Sequence, residues 1–246
     1  MLNFFKNKQT SITTNFPDDF VDIHSHILPG VDDGSQSFED SLALLKKMHS
    51  YGINTIILTP HIMEGVWENS SLSLKKRFNE FNDFLKKVNF TEVQLKLAAE
   101  YMLDGNFNTL LKTEKLLTIK DNYLLIEMSY LNAPLNLYET LFAIQIAGYK
   151  PILAHPERYA FYHNNYAEYS KLKEAGCLFQ LNLLSLTKYY GKEVTTIAKK
   201  LLKDNLIDFV GTDTHHDRHL NYLERINSTA IIKKLTPILK NNEVFK

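Results

Sequence analysis

The strongest constraint on the fold is an alternation of short apolar runs with longer stretches that carry an apolar stripe at helical spacing. The runs are typical of strands buried on both faces, and the stretches between them are typical of amphipathic helices. Repeated about seven times without an inserted domain, this alternation predicts a parallel sheet covered by helices. Strands are predicted at 21–27, 54–59, 94–102, 123–128, 151–154, 177–183 and 207–210.

The predicted helices have ordinary boundary signals. In the first of them, Ser37 is placed to cap the start, Asp40 lies in reach as the capping-box acid, and Gly52 follows the end. These signals agree with the helical spacing of the apolar residues between them. Helices are predicted at 37–48, 71–88, 106–111, 137–147, 166–175, 194–202 and 223–235.

Length and composition indicate one globular domain. The chain has 246 residues, of which 44% are hydrophobic and 23% charged, enough for one sizeable core. We predict a single domain at 21–246. An N-terminal extension at 1–20 precedes it, in which Phe4 and Phe5 either dock on the domain or belong to a loose arm.

Charge and cysteine content argue against several kinds of partner. Lys plus Arg and Asp plus Glu number 28 each, so no basic field recruits nucleic acid. No apolar run is long enough to span a bilayer, and the N-terminus lacks the apolar core of a signal peptide. Cys177 is the single cysteine, which permits no internal disulfide and agrees with a reducing compartment. We therefore predict a cytoplasmic protein.

Histidines and carboxylates recur where the predicted strands end. Because side chains alternate along a strand, His24 and His26 point the same way and can grip one cation. Asp213 and His215 alternate in the same manner after the last strand. Taken singly, such groups are often solvated or structural, but independent surface residues need not all fall at strand ends. The set comprises His24, His26, Asp33, His61, Glu100, Glu127, His155, Asp213 and His215.

This placement favours one architecture and indicates metal ions. An open doubly wound sheet gathers its site at one switch point, whereas a barrel brings all strand ends around one mouth. We therefore predict an α/β fold of the (β/α)7-barrel type with its site at the carboxyl ends of the strands. So many ionisable groups need compensating charge, and mixed imidazole and carboxylate ligands suit zinc, manganese or iron, here as two or three ions. Bridging carboxylates would hold such ions roughly 3.5–4 Å apart.

Two arginines near the predicted mouth are candidates for binding an anionic substrate. Arg158 could clamp phosphate oxygens bidentately, and Arg218 occupies a comparable position after the last strand. Asn182 either lines the site or makes only a loop hydrogen bond, and His216 and His219 lie either behind the ligands or in solvent. Glycine-rich dinucleotide and P-loop patterns and the Gly-x-Ser-x-Gly elbow are absent from the sequence.

Six stretches carry a resemblance to a known family, and together they span residues 21 to about 220. They are DIHSHILPGVDDG at 22–34, TPH at 59–61, AE at 99–100, IE at 126–127, AHPER at 154–158 and GTDTH at 211–215. With these motifs the chain resembles the PHP (polymerase and histidinol phosphatase) superfamily. Within it, the chain resembles the bacterial metal-dependent protein-tyrosine phosphatases of capsule and exopolysaccharide loci. The loop IMEG at 62–65 lacks the basic residues of some relatives, so the resemblance does not assign the residues of the substrate-binding rim.

The resemblance implies a distorted (β/α)7 barrel with a trinuclear, usually manganese-activated site. It implies that all nine residues named above are metal ligands, that Arg158 matches a phosphate-binding arginine and that Arg218 matches a second one. It also implies a protein-tyrosine phosphatase whose partner is a bacterial tyrosine kinase controlling capsule or exopolysaccharide synthesis. The assignment of ligands to ions and the oligomeric state stay open at this point.

Our hypothesis for the chemistry is attack of a metal-bridging hydroxide on phosphorus, with Arg158 binding the phosphate and no covalent phospho-enzyme. Trp67, Tyr101, Tyr130 and Tyr159 are expected to line a cleft for the phosphotyrosine ring. Two alternatives stay open. One is a small-molecule phosphatase of the histidinol-phosphate type, which needs a lidded mouth. The other is a metal-stabilised regulatory protein of a polysaccharide assembly complex, with little turnover.

Overall fold

The strands form two parallel sheets in the computed structural model, which describes residues 11–246. The strands are β1 (Val21–Asp22), β2 (Thr55–Leu58), β3 (His61–Ile62), β4 (Gln94–Leu97), β5 (Glu100–Met102), β6 (Tyr123–Glu127), β7 (Lys150–Ala154), β8 (Leu178–Asn182) and β9 (Phe209–Gly211). The three-stranded sheet has the order β1-β2-β4 and the six-stranded sheet has the order β3-β5-β6-β7-β8-β9. All pairings between these strands are parallel, as the strand–helix alternation predicts.

The helices connect the strands, and most of them match their predicted positions. Ser37 caps the first helix by accepting a hydrogen bond from the backbone N–H of Asp40 at 3.1 Å, as predicted. The helices are α1 (Phe38–Ser50), α2 (Ser71–Lys87), α3 (Phe107–Thr113), α4 (Leu137–Ile146), α5 (Ala167–Glu174), α6 (Lys192–Lys203), α7 (Asp217–Leu223) and α8 (Thr229–Asn241).

On one side of the barrel, strands of the three-stranded sheet lead into strands of the six-stranded sheet without a change of direction. β2 and β3 are parts of one chain path interrupted at Pro60, which has no backbone N–H to give to a ladder. β4 and β5 are interrupted likewise, so the single strand predicted at 94–102 is wrong in detail. Hydrogen bonds bridge the gap, from Ala98 N to Leu58 O at 2.8 Å and from Glu100 N to Pro60 O at 3.1 Å. The chain therefore keeps one direction across the interruption.

On the other side of the ring, the chain beyond β1 meets the chain beyond β9. Ser25 and Thr214 form an isolated parallel bridge. Asp213 N donates to His24 O at 2.8 Å, and His26 N donates to Thr214 O at 2.9 Å. These contacts arrange the carboxyl ends of all the strands around one mouth, although the ladder of backbone hydrogen bonds between neighbouring strands is interrupted. The predicted distorted α/β barrel is therefore confirmed.

The last predicted helix, at 223–235, is wrong, because the structure has α7 and α8 with a break between them. The break leaves two carbonyl groups for the incoming N-terminal segment. Ser11 Oγ donates to Glu224 O at 3.0 Å, and Ile12 N donates to Ile226 O at 2.9 Å. A continuous helix would have used these carbonyls internally.

The segment 11–20 packs on the barrel. Ile12 and Phe20 are fully buried and belong to the same hydrophobic core as the barrel's helices. Phe4 and Phe5, for which docking or a loose arm was expected, lie outside the described residues. The predicted division into an extension at 1–20 and a domain at 21–246 stays a prediction.

Candidate metal centre and phosphate site

The nine predicted ligands converge at the mouth formed by the carboxyl ends of the strands. Nε2 of His24 and Nε2 of His26 lie 3.1 Å apart, so both imidazoles point the same way, as the alternation predicts. Oε2 of Glu100 lies 3.2 Å from the first of these nitrogens and 3.3 Å from the second. Oδ1 of Asp213 lies 3.4 Å from each. The structure thus brings side chains from opposite ends of the sequence to one point.

The donor atoms fall into four overlapping groups whose members lie within 4.8 Å of one another. Each group mixes nitrogen and oxygen donors, the chemistry that suits zinc, manganese or iron. The groups are His26 with Asp33, His61 and His215; His24 with His26 and Asp213; His24 with Glu100 and His155; and His61 with Glu100 and Glu127.

Hydrogen bonds behind the cluster fix which nitrogen His24 presents to it. Nδ1 of His24 lies 2.8 Å from Oε1 of Gln180. The amide of Gln180 is itself oriented, because its Nε2 donates to Leu181 O at 2.8 Å. Since an amide oxygen only accepts, Nδ1 carries the hydrogen and Nε2 offers its lone pair to the cluster.

Asp32 plays the same part for His26. Its Oδ2 lies 2.8 Å from Nδ1 of His26, and its Oδ1 accepts from Gly34 N at 3.0 Å. Sequence reasoning named Asp33 as the ligand and did not foresee the roles of Asp32 and Gln180. The tandem carboxylates at 32–33 were visible, but nothing in their order shows which one stands behind an imidazole.

Three buried side-chain atoms of the cluster residues have no hydrogen-bond partner among the described residues, and they are Nδ1 of His61, Oε1 of Glu127 and Nδ1 of His155. Nδ1 of His61 and Oε1 of Glu127 are both unpartnered, although they lie only 2.8 Å apart. Burying polar atoms without partners is costly. A cation between them would satisfy both, so the donor set fits the metal ions that its residue types imply.

The pKa shifts of the buried carboxylates also agree with cations bound at the cluster. Burial disfavours ionised Glu100, but the imidazoles of His24 and His61 outweigh it and hold its pKa well below the usual range. Burial raises the pKa of Glu127, and the neighbouring Glu100 raises it further. Two carboxylates so close need positive charge to ionise together.

Asp213 divides its two oxygens between two tasks. Oδ1 faces the imidazoles, whereas Oδ2 accepts hydrogen bonds from Asn182 Nδ2 at 2.7 Å and from Arg158 Nη1 at 2.9 Å. Asp213 has a φ of 51° and His155 a φ of 37°, the left-handed region that non-glycine residues rarely adopt. The fold therefore holds these two candidate ligands in costly backbone conformations. Asn182, which was expected either to line the site or to make only a loop hydrogen bond, contacts a residue of the site through Asp213.

The guanidinium of Arg158 lies over two aromatic rings. Its Cζ lies 4.7 Å from the ring centre of Tyr130 and 4.2 Å from that of Tyr190. These two cation–π contacts restrain the guanidinium, whose N–H groups remain able to donate hydrogen bonds. Sequence reasoning did not foresee Tyr190. The pair Tyr189 and Tyr190 before Gly191 carries no periodic signal, because this segment leads into α6 as a loop.

Arg218 lies apart from this arrangement. It is exposed on α7, and its guanidinium Cζ lies 5.5 Å from the ring centre of Tyr189 and 5.7 Å from that of Tyr222. Tyr189 lines the cleft, but Arg218 is not among the lining residues. A role for Arg218 in binding phosphate stays a prediction.

His219, in contrast, is buried, and its Nδ1 lies 3.1 Å from the backbone oxygen of Asp213.

A cleft of about 620 Å³ opens over the cluster. Trp67 and Tyr130 form part of its walls, as expected. Tyr101 and Tyr159 do not, and this expectation is wrong. Both are buried, with the Tyr101 hydroxyl accepting from Leu117 N at 2.8 Å and the Tyr159 hydroxyl accepting from Met128 N at 3.0 Å. Their rings therefore build the barrel wall rather than the cleft.

The fold and the constellation at its mouth define a class of parallel α/β barrels that gather imidazole and carboxylate side chains at the carboxyl ends of their strands. More particularly, the chain belongs to the CpsB/CapC family, described as capsular polysaccharide synthesis, whose family model matches residues 20–235. The family expected from the motifs is therefore confirmed.

Relatives and solved structures agree with this family. The chain is 32% identical over 239 residues to the tyrosine-protein phosphatase YwqE of Bacillus subtilis (strain 168), covering 92% of this chain and 94% of the relative. It is 31% identical over 234 residues to the tyrosine-protein phosphatase CpsB of Streptococcus pneumoniae, with the same coverage. A crystal structure from work on YwqE and CpsB, described as metal-dependent tyrosine phosphatases, superposes with a TM-score of 0.76 at 29% identity, covering 90% of this chain and 94% of the other.

A more distant solved structure supports the fold alone. The histidinol phosphate phosphatase of Lactococcus lactis subsp. lactis Il1403 aligns with a TM-score of 0.52 at 15% identity, covering 91% of this chain and 94% of the other.

Among the described residues, no helix is both long and apolar enough to cross a membrane.

Proposed function

We propose that this protein is a metal-dependent phosphatase that hydrolyses phosphotyrosine in a protein substrate. The observation that carries the proposal is the position of Arg158, whose guanidinium lies in the cleft wall and contacts Asp213 at the edge of the ligand cluster. A phosphoryl group bound there would meet both the cationic side chain and the cations of the cluster. The activity of the relatives YwqE and CpsB supports the same reading.

The nine clustered residues would hold two or three divalent ions. The groups overlap at His24, His26, His61 and Glu100. Each neutral imidazole would hold one ion through its single lone pair, whereas the two oxygens of Glu100 would allow it to serve two. Bound divalent ions neutralise phosphoryl oxygens and lower the pKa of a coordinated water. Manganese is our choice of ion, with iron and zinc as the other candidates that the donors allow.

Residues of the chain itself perform the remaining tasks. Arg158 binds the phosphate oxygens through the N–H groups of its guanidinium and stabilises the charge that develops on them. Tyr130 and Tyr190 restrain the guanidinium, and Asn182 holds Asp213 independently of Arg158. Arg158 can therefore turn toward a phosphate without releasing Asp213 from its position.

The shape of the cleft favours a protein substrate over a small metabolite. Val66 and Leu131 line it from two separate loops, and they are 60% and 87% exposed. Rim residues as exposed as these leave the mouth open to a phosphotyrosine that projects from a polypeptide. A metabolite enzyme of the histidinol-phosphate type would instead enclose its substrate.

We place the partner and the location within the same proposal. The substrate would be a bacterial tyrosine kinase that controls capsule or exopolysaccharide synthesis, in keeping with the family description. The location would be the cytoplasm, a reducing compartment compatible with the single buried Cys177.

The test is phosphate release from a phosphotyrosine peptide and from histidinol phosphate. The protein is stripped with a chelator and reloaded with manganese, iron or zinc, and the bound metal is measured for each preparation. Turnover of the peptide alone, restored by manganese, is the expected result. A preference for histidinol phosphate would instead indicate a small-molecule phosphatase of the histidinol-phosphate type. Failure to turn over either substrate with metal bound would favour a regulatory protein.

A further inference from the structure

The outer face of α4 is apolar, unlike the outer faces of other helices in the chain. The stripe comprises this face and the loop before it, and consists of Leu131, Leu135, Tyr138, Phe142 and Ile146, which are 87%, 104%, 40%, 65% and 72% exposed. The inner face of the same helix is apolar as well, with Leu141 and others buried. A helix that is apolar on both faces is typical of one that is covered on both sides.

The contrast with α2 shows that this is not the general character of the surface. α2 carries Lys75, Lys76 and Arg77 early in the helix and Lys86 and Lys87 in its last turn, all on the solvent side or only partly covered. Within Leu137–Ile146, in contrast, Glu139 is the single charged residue. An exposed apolar surface rimmed by polar groups marks an interaction site.

The stripe is continuous with the mouth of the cleft. Tyr130 and Leu131 line the cleft, and both are exposed, at 45% and 87%. Leu135 follows four residues after Leu131 in the same loop, and Tyr138 lies in the first turn of α4. A polypeptide whose phosphotyrosine enters the cleft on this side therefore passes directly onto the helix.

We propose that this stripe, Leu131 to Ile146, binds apolar residues next to the phosphotyrosine of the substrate polypeptide; the inference rests on the proposed function. Its size fits such a segment. α4 has ten residues, so it is about 15 Å long at 1.5 Å per residue. An extended peptide covers that length with about five residues at roughly 3.3 Å each.

A second copy of the chain is a poorer occupant. A standard stable interface engages about 20–30 residues on each side. The stripe offers five exposed apolar side chains, namely Leu131, Leu135, Tyr138, Phe142 and Ile146. It is therefore large enough to hold a peptide segment beside an anchored phosphotyrosine, but too small to hold a dimer by itself.

The experiment compares two peptides and three proteins, all loaded with manganese. Both peptides carry one phosphotyrosine, flanked on either side by Leu, Ile and Phe in one and by Ser and Gly in the other. The variants are Phe142→Gln combined with Ile146→Gln, and Val244→Gln as the matched control. Val244 is also exposed, at 53%, but lies outside the stripe in the C-terminal segment, where Lys120 Nζ donates to its carbonyl at 3.0 Å.

We expect the wild-type protein and the Val244→Gln control to prefer the apolar peptide in kcat/KM. The double variant should lose about tenfold on that peptide, as expected for losing the burial of one large apolar side chain, and nothing on the Ser/Gly peptide. Para-nitrophenyl phosphate, which cannot reach the helix, should be turned over equally by all three proteins.

Four results would overturn the inference. The first three are equal kcat/KM for both peptides in the wild-type protein, an unchanged preference in the double variant, and a dimer in sedimentation that the double variant disrupts. Binding to lipid vesicles that the double variant abolishes would assign the stripe to a membrane and would overturn it too. Failure of the wild-type protein on every phosphotyrosine substrate would instead reject the proposed function, so the two failures are distinguishable.

Discussion

Arg158 Nη1 donates a hydrogen bond to Oδ2 of Asp213 at 2.9 Å, and this contact joins the proposed phosphate-binding side chain to a proposed metal ligand. The two residues are 55 positions apart in the sequence and come from the ends of different strands. Because Asn182 Nδ2 holds the same oxygen at 2.7 Å, Asp213 stays oriented when Arg158 turns to a substrate. The tests below separate the parts of this arrangement.

Replacing the guanidinium should impair turnover without emptying the metal centre. Arg158→Ala removes the side chain that stabilises charge on the phosphoryl oxygens, and we expect kcat to fall by about 10²–10³. Metal content measured on the same preparation should be unchanged, because Asn182 still holds Asp213. Unchanged kcat would remove Arg158 from the mechanism.

Tyr190 should act through Arg158. Tyr190→Leu removes one aromatic face from the guanidinium, and we expect kcat/KM to fall about three- to tenfold, in keeping with a partly buried cation–π contact. Tyr190→Phe keeps the ring and loses only the contact with Asn182 Nδ2 at 3.2 Å, so it should stay close to wild type. In an Arg158→Ala background, Tyr190→Leu should have no further effect. An equally large loss in that background would mean that Tyr190 supports the fold instead.

The hydrogen bond behind His24 should control metal affinity. Gln180→Met keeps the size of the side chain and removes the oxygen that accepts from Nδ1 of His24. We expect the affinity for manganese to fall about 10–100-fold in chelator competition, because the imidazole loses its fixed tautomer and orientation. Cys177→Ala, at the buried residue just before the same strand, is the control for loosening of the core. Equal loss in both variants would contradict the specific role of Gln180.

Asn242 should contribute to stability and not to chemistry. It is fully buried, and its Nδ2 donates to Val21 O at 2.8 Å and to Val210 O at 2.7 Å, so it links β1 to β9. Asn242→Leu leaves these carbonyls unpaired, and we expect the free energy of unfolding in urea to fall by about 3 kcal/mol. The kcat of the folded protein should be retained. Asn241→Ala, which removes one exposed bond to Asp208, should change the stability little.

The structural findings also show where sequence reasoning succeeded. Most predicted helices and the strands at 54–59, 123–128, 151–154, 177–183 and 207–210 match, because apolar runs and helical spacing are local signals, whereas the strand predicted at 21–27 is only Val21–Asp22. The clustering of His24, His26 and Asp213 was predictable for the same reason, since parallel strands present their carboxyl ends at one edge. The family followed from the same motifs.

Other features were beyond local patterns. Tyr101 and Tyr159 were expected in the cleft, but their hydroxyl groups accept backbone hydrogen bonds inside the barrel wall. The helix predicted at 223–235 is broken because Glu224 and Ile226 give their carbonyls to a segment more than 200 residues earlier. In both cases the deciding partner is distant in sequence and leaves no periodic trace.

The sequence by itself determined the parallel α/β class, the strand ends and the residue types that gather there. It did so because hydrophobic periodicity and strand alternation are local properties of the chain. Only the tertiary structure decided that Gln180 and Asp32 stand behind the two imidazoles, and that Tyr130 and Tyr190 contact Arg158. Such partnerships depend on which strand ends become neighbours and how the loops between them close, and these follow from packing of the whole barrel.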